Sequence, residues 1–299
     1  MKGRWKRALA VGLLAIVGTA SVTGGLPPAS AEIIIEPTPA SGTQVEQNEN
    51  CIIDYSDTAK GYVNVKYLES TDKMIKALVT KGDATYTYTI RKNDYEALPL
   101  TEGNGSYKVT VLKNVSGSSY ANVISASFDV TLQDEFQPYV RPNQYVDFNA
   151  STKCVKKAES LCKNAKSELA KLKKIYKWVI KYFSYDNEKA KTVQGGYLPN
   201  LDEIYDKKKG ICFDYASTMS AMLRSQGIPV KLVIGYTGSE YHAWINVYSK
   251  KKGWITGAIY IAGNKWKLMD PTFASTGGSS DSIMKYINNT NNYKAKYSY

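Results

Sequence analysis

The sequence contains a single histidine, His242, among 299 residues. One histidine excludes every site that one copy of the chain would have to build from two imidazoles, such as HExxH zinc sites, facial-triad iron sites and three-histidine zinc sites. A Cys-His-His triad is excluded for the same reason. If imidazole chemistry occurs in this protein, His242 must perform it.

Cysteine is also scarce, and no two of the four residues form a CxxC pair: Cys51, Cys154, Cys162 and Cys212. A zinc ribbon or a thioredoxin-type site therefore has no support. Cys154 and Cys162 are eight residues apart. That spacing is roughly 12 Å along a continuous helix, too far for a disulfide. Either one could pair with Cys51, and buried free thiols are an equally reasonable alternative.

Long apolar runs are absent after the first 31 residues, so we expect no transmembrane segment. Residues 1–31 combine a basic start, a short apolar run and an Ala-Ser-Ala site that ends at Ala31. This pattern predicts a secretory signal peptide cleaved after Ala31. No LPxTG-type wall-sorting signal follows, and we expect a secreted protein that is extracellular or associated with the cell wall.

Acidic residues are fewer than basic residues, 27 against 39, which gives a formal net charge of +12. The excess lies in residues 151–299, which hold 25 basic and 11 acidic residues. In a secreted protein this charge is better suited to anionic wall polymers or membrane surfaces than to nucleic acid, and no RNA- or DNA-binding signature accompanies it. The alternative, which we favour, is that lysines coat solvated helix faces.

Composition and periodicity divide the rest of the chain into three parts. Residues 32–50 are polar and contain proline, which predicts a linker. Residues 51–148 show alternating apolar and polar positions between turn signals, which predicts an antiparallel β-sandwich of immunoglobulin-like or fibronectin-like shape. The clearest alternating runs are Val63–Tyr67, Tyr86–Ile90, Tyr107–Val111 and Ala126–Leu132.

The third part, residues 149–299, changes to a helical period and then to short strands. Stripes within 155–162 and 169–183 predict two helices, and a further helix opens near Cys212. Gly227 and Pro229 predict its end. Strands are expected after Pro229, followed by a polar C-terminal tail from residue 275. The fold class is therefore α+β.

The segment from Lys209 to Ala216 places Cys212 in the first turn of the predicted helix, after a glycine turn. Unpaired backbone N–H groups and the helix dipole stabilise an anion at such a position, which favours a thiolate nucleophile. The same N–H groups can donate to a developing oxyanion. The structural alternative is a small buried hydrophobic cysteine.

Two later segments supply partners for such a thiol. His242-Ala243-Trp244 opens a predicted strand, and its imidazole could hold the thiolate and then protonate a leaving group. Trp244 shares a face with His242 and could shield the pair from water. Asp270 ends a later predicted strand, so its carboxylate could orient the imidazole. Singly, each residue is more often structural; jointly, they favour a catalytic site.

The three segments together resemble the transglutaminase-like superfamily, whose papain-like core presents G-x-C-x-x-Y-A, H-A-W and D-x-T in this order. Gly196–Pro199 and Met222–Pro229 are similar to secreted bacterial members. The resemblance covers roughly residues 150–275, and its matching positions are Gly210, Cys212, Tyr215, Ala216, His242, Ala243, Trp244, Asp270 and Thr272.

The resemblance implies Cys212, His242 and Asp270 as catalytic residues, no cofactor or metal, and a protein or peptide substrate. Tyr197 is a candidate second oxyanion donor. The chain has no EF-hand-type loop and no zinc-binding CxxC pairs, so the calcium dependence of animal transglutaminases is not implied. A sortase is disfavoured because its histidine precedes its cysteine.

Two hypotheses of different classes follow. The first is an acyltransferase or cysteine peptidase that forms a Cys212 thioester, with the choice between amine and water as second substrate left open. The second is a non-catalytic wall-associated scaffold with a vestigial thiol site. The basic half of the chain, and its 24 tyrosines against six phenylalanines, suit a surface that contacts polymer or glycan.

Overall fold

The computed structural model describes residues 33–91, 93–250, 253–255, 260–262, 265–267 and 293–299. Within these ranges the chain has a mixed α+β architecture with mostly antiparallel sheets. The predicted signal peptide and Asp270 lie outside the described residues. None of the helices in the described ranges is long and apolar enough to cross a membrane.

The N-terminal half is built from two four-stranded antiparallel sheets. The first has the order β1-β2-β3-β6, with strands Val45–Gln47 (β1), Cys51–Asp54 (β2), Tyr62–Tyr67 (β3) and Tyr95–Pro99 (β6). The second has the order β5-β4-β7-β8, with strands Ala84–Thr89 (β5), Ile75–Lys81 (β4), Gly105–Ser116 (β7) and Ser119–Val130 (β8). Two short 3-10 helices complete this half, Thr58–Lys60 and Gln137–Tyr139.

The alternating runs predicted as strands are confirmed. They fall in β3, β5, β7 and β8, and apolar residues of both sheets enter one hydrophobic core. Tyr86 and Tyr88, for example, are buried on one face of β5, whereas Thr85 and Thr87 are exposed on the other. A period of two predicts this arrangement because successive side chains of a strand point to opposite faces.

The segment predicted as a polar linker is ordered against the rest of the protein. Ile34 donates its backbone N–H to the Ser225 carbonyl at 2.9 Å, and Arg141 donates to the Pro37 carbonyl at 2.6 Å. Ile33 and Ile35 pack partly buried against the core. The average composition of this segment concealed Ile33 and Ile35, whose partial burial stabilises the contact, whereas Ile34 between them is exposed.

The C-terminal half contains five helices in its described residues: Lys153–Cys162 (α1), Glu168–Tyr182 (α2), Asn187–Thr192 (α3), Leu201–Lys207 (α4) and Cys212–Arg224 (α5). Its main sheet has the order β13-β12-β11-β16, with strands Gly253–Ile255 (β13), Glu240–Ser249 (β12), Val230–Thr237 (β11) and Tyr293–Ser298 (β16). Two strand pairs are smaller, Ser184–Tyr185 (β9) with Lys209–Gly210 (β10), and Tyr260–Ala262 (β14) with Lys265–Lys267 (β15).

Helix α5 lies at the centre of this half. Every residue from Asp214 to Arg224 is buried, and the helix packs against α1, α2, β11 and β12. A helix apolar or small on all sides belongs in a core. Gly227 follows its end in the left-handed conformation, at φ 72°, as the Gly–Pro signal predicted.

The polar C-terminal tail is a wrong prediction for residues 293–299. Tyr293–Ser298 forms β16, which pairs antiparallel with β11, and Tyr299 is buried. Tyr293, Ala295, Tyr297 and Tyr299 alternate with polar residues, a period-two signal that the polar composition of this region masked.

Candidate functional site

Helix α5 begins at Cys212, which is half-buried. Ile211 precedes it in extended conformation, and its N–H donates to the buried Asp214 carboxylate at 2.9 Å. This bond satisfies one of the free N–H groups at the helix start. Gly210 is required beside it, because a Cβ there would lie 2.7 Å from the Asp214 Cβ. The predicted helix start at Cys212 is thus confirmed.

His242 lies on β12, directly opposite Gly235 of β11, and is 8% exposed. The Trp244 ring lies nearly parallel to the imidazole, with ring centroids 6.4 Å apart, as their shared strand face predicted. Gly235 makes this packing possible, because a Cβ there would overlap the Lys294 carbonyl and lie 2.9 Å from the Trp244 ring. His242 is therefore held on a closely packed part of the sheet.

Cys212 and His242 line the same cavity, whose volume is about 500 Å³. This volume is within the usual range of small-molecule sites. The cavity lies between the two halves of the chain, since Thr87 and Thr89 of β5 also line it. Its aromatic lining includes Tyr145, Tyr185, Tyr197, Phe213, Tyr241 and Tyr297.

The other three cysteines differ from Cys212 in their surroundings. All four thiols are free, so the possible disulfide with Cys51 is absent. Burial raises the pKa of the Cys51 and Cys154 thiols to about 12 and that of Cys162 to about 11. Desolvation disfavours a thiolate at these three positions, which the buried-thiol alternative predicted.

A partly buried ion pair lies beside the start of helix α5. Lys189 Nζ lies 2.6 Å from the Asp214 carboxylate, which is fully buried. The Tyr197 hydroxyl accepts from Lys189 at 2.6 Å and donates to Asp214 at 2.6 Å. Burial, and then the hydrogen bond to Asp214, raise the pKa of Tyr197. The cluster ties α3 and the loop before Tyr197 to the first turn of α5.

The cluster changes the interpretation of Tyr197. This side chain was a candidate second oxyanion donor, and its ring does line the cavity. Its single hydroxyl proton is directed to Asp214, however, so it does not donate into the cavity in this structure. Tyr215, a position of the same motif, lies in the core.

Of the three predicted catalytic residues, two are in the described ranges and face one cavity, while Asp270 lies outside these ranges. Sequence reasoning missed Lys189 and Asp214. A carboxylate three positions after the N-cap residue is a capping signal that could have indicated Asp214. Nothing local could have indicated Lys189, which is 25 residues away in the chain.

Residues 155–257 match the model of the transglutaminase-like superfamily. This part of the chain is therefore similar to the transglutaminase-like superfamily, which includes acyltransferases and cysteine peptidases.

Among curated proteins, the chain is 31% identical over 93 residues to the uncharacterized protein YebA of Bacillus subtilis, covering 25% of this chain and 12% of that protein. It is 32% identical over 69 residues to a protein-glutamine gamma-glutamyltransferase of Pseudomonas aeruginosa, covering 18% of this chain and 10% of that protein. The matches thus span about a tenth of these relatives.

Solved structures overlap more of the chain at lower similarity. The periplasmic domain of TgpA from Pseudomonas aeruginosa, bound to ethylmercury, is 14% identical with a TM-score of 0.36, covering 88% of this chain and 90% of that chain. Red sea bream transglutaminase is 11% identical with a TM-score of 0.31, covering 76% of this chain and 53% of that chain. The family assignment rests on the sequence match.

Proposed function

We propose that this protein is a secreted thiol enzyme that acts on protein or peptide carbonyls through a thioester on Cys212. The observation that carries the proposal is the cavity that Cys212 and His242 share. Cys212 is the cysteine that is only half-buried, and it starts a helix whose dipole favours an anion. The superfamily match supports the same class of chemistry.

In the proposed first step, the Cys212 thiolate attacks the carbonyl carbon of a carboxamide or peptide bond. The N–H groups at the start of α5 are the oxyanion donors, and protonated His242 gives its proton to the departing ammonia or amine. In the second step, His242 takes a proton from an amine or a water that attacks the thioester, and Cys212 leaves as the thiolate. Asp270 is proposed to orient the imidazole.

The choice of second substrate separates acyl transfer from hydrolysis. An amine gives a new amide and cross-links two partners, whereas water gives a carboxylic acid, as in deamidation or proteolysis. The exclusion of water from the cavity decides between them. Both outcomes use the same thioester.

We further propose the domain organisation around this enzyme. Residues 51–148 are an immunoglobulin-like or fibronectin-like sandwich, and residues 149–299 are the catalytic domain. Residues 1–31 are a secretory signal, and the mature protein works outside the cell or at the bacterial surface. Lysines of the catalytic half are a possible contact for anionic wall polymers.

The experiment measures incorporation of a labelled amine into a glutamine-bearing protein beside cleavage of peptides. We expect one or both activities in the wild type and neither in Cys212→Ala. Cys154→Ala is the matched control, because it removes a thiol from the start of another helix. Activity that survives in Cys212→Ala would exclude the thioester proposal. A wild type with neither activity would favour the scaffold hypothesis.

A further inference from the structure

We infer that the cavity selects uncharged peptide segments around the reacting carboxamide, and that the N-terminal β half forms one of its walls. This inference rests on the proposed function, because it names the substrate class of the same site. The juxtaposition that carries it is a thiol and an imidazole enclosed by neutral side chains from both halves of the chain.

The cavity is lined by neutral groups. The described lining residues include no Asp, Glu, Lys or Arg, and His242 is the one among them that can carry a positive charge. The polar side chains on the lining are Gln144, Gln194, Thr87, Thr89 and tyrosines. The Gln144 amide and the Tyr145 and Tyr197 hydroxyls already have hydrogen-bond partners within the protein. A charged side chain that enters such a site loses its hydration and gains no opposite charge, which is costly. An uncharged carboxamide, in contrast, can form hydrogen bonds with neutral polar groups and does not require an opposite charge.

The two charges behind Tyr197, those of Lys189 and Asp214, are directed to each other. Lys189 and Asp214 pair at 2.6 Å, and Tyr197 stands between the cavity and this pair through bonds to both. The Lys189 ammonium also lies over the Tyr197 ring, 4.1 Å from its centroid. A charged substrate residue would have to compete with these existing partners.

The β half contributes a wall that is fixed in place. Thr87 and Thr89 belong to β5, the edge strand of the second sheet. The Tyr145 hydroxyl donates to the Thr87 carbonyl at 3.1 Å, and the Gln144 amide oxygen accepts from the Thr89 N–H at 3.1 Å. The Tyr145 ring also lies 5.7 Å from the Phe213 ring, beside Cys212. These contacts tie the wall to helix α5, which carries Cys212.

The same preference for uncharged groups should favour release of the product of hydrolysis. When water resolves the thioester of a glutamine side chain, its oxygen enters a carboxylic acid, and the ammonia has already departed. The resulting carboxylate is charged at neutral pH, and the cation that the mechanism provides on the described lining, protonated His242, is already paired with the Cys212 thiolate. We expect the glutamate product to bind more weakly than the glutamine substrate by ~10-fold or more.

The test uses acetylated, amidated peptides with one glutamine flanked by leucine, by glutamate or by lysine. Turnover is measured as kcat/KM with the wild-type chain, and binding is measured as Kd with Cys212→Ala. We expect both charged series to be worse than the leucine series by ~10-fold or more in each readout.

Thr87→Lys tests the wall. A lysine at this exposed position adds a cation to the cavity, so we expect glutamate-flanked peptides to gain ~10-fold relative to leucine-flanked ones. Thr87→Glu should favour lysine-flanked peptides instead. Thr85→Lys is the matched control: it lies on the same exposed face of β5 but does not line the cavity, so it should leave the preference unchanged.

Each outcome decides one of the two ideas. Equal kcat/KM and Kd across the three series, within twofold, would overturn the inference and leave the thiol chemistry standing. Equal effects of Thr85→Lys and Thr87→Lys would exclude the β half as a wall. Charge-selective binding without turnover of any peptide would overturn the proposed function and support the binding preference.

Discussion

Two helices of this protein carry a cysteine in their first turn, and the two thiols have opposite surroundings. Cys154 is the second residue of α1 and is fully buried, whereas Cys212 is the first residue of α5 and opens to a cavity. The helix dipole favours an anion at both positions. Burial nevertheless raises the pKa of the Cys154 thiol to about 12. At Cys154, desolvation therefore outweighs the stabilisation of a thiolate by the helix dipole.

Neighbouring charges sharpen this contrast. At α1, the Lys153 N–H donates to the Asp202 carboxylate at 2.8 Å, and the Asp202 charge further raises the pKa of Cys154. At α5, the Asp214 carboxylate binds the Ile211 N–H in a similar way, but Lys189 lies 2.6 Å from it. A carboxylate at a helix start opposes a thiolate unless a cation balances it.

The largest expected difference is in alkylation. At pH 8, a thiol of pKa about 12 is ionised in roughly one molecule in 10⁴. Iodoacetamide should therefore modify Cys212 faster than Cys154 by ~10³-fold or more, as measured by mass spectrometry of peptides from the native protein. Cys51 and Cys162 should resemble Cys154. Comparable labelling of Cys154 and Cys212 before unfolding would contradict the comparison.

The next effect is on catalysis. His242→Gln keeps a polar side chain of similar length but removes the proton carrier, so we expect kcat/KM for amine incorporation to fall ~10²-fold or more. Trp244→Phe is the control for packing, because it keeps an aromatic ring under His242. If His242→Gln retains the full activity, the imidazole has no catalytic role.

Substitutions of Asp214 and Lys189 should have a smaller effect on the alkylation of Cys212, in opposite directions. Asp214→Asn leaves the Lys189 charge unbalanced behind Cys212, which should speed iodoacetamide labelling of Cys212 at pH 7 several-fold. Lys189→Gln should slow it. Asp214→Asn should also cost about 1–3 kcal/mol of unfolding free energy in urea, because a buried hydrogen-bonding group is altered.

Asp202→Asn is the matched control at the start of α1, and it should leave the labelling of Cys212 unchanged. If the Lys189–Asp214 cluster had a purely structural role, Asp214→Asn and Lys189→Gln would change the labelling of Cys212 in the same direction.

The smallest effect is a pH dependence of stability. The folded state raises the thiol pKa of Cys154 to about 12, so the thiol stays protonated there while the unfolded thiol ionises above about 8.5. Its contribution to stability is therefore present below pH 8.5 and is lost as pH rises toward 12. The loss is about 1.4 kcal/mol per pH unit.

In urea unfolding, the free energy of unfolding of the wild type should fall between pH 9 and 10 by about 1.4 kcal/mol more than that of Cys154→Ala. Val155→Ala, a neighbouring buried residue without a titrating group, should be destabilised but keep the wild-type slope. Equal slopes in wild type and Cys154→Ala would mean that burial does not suppress ionisation of this thiol.

Prediction from sequence succeeded where the signal is periodic. The four alternating runs of the β half and helices α1 and α2 are confirmed, and their patterns repeat along several residues. The helix start at Cys212 is also confirmed. Helices α3 and α4 were missed because they are short, at 6 and 7 residues. The ordered segment before β1 was missed because its contacts, such as Ile34 with Ser225, join positions far apart in the chain.

For the site, the motifs indicated Cys212 and His242, and the structure brings both to one cavity. They could not indicate that Thr87 of the β half lines it too, or that Lys189 pairs with Asp214. Neither contact leaves a local pattern, because each depends on how separate elements pack.

The amino-acid sequence alone determined which residue can act as an imidazole base, since His242 is unique, and where helix α5 begins. The motifs favoured Cys212 by resemblance, but position at a helix start did not by itself rank the thiols of α1 and α5. Only the tertiary structure decided that Cys154 is desolvated while Cys212 faces a cavity. The physical reason is range: helix dipoles and caps act within one turn of the chain, whereas burial depends on every element that packs around a side chain.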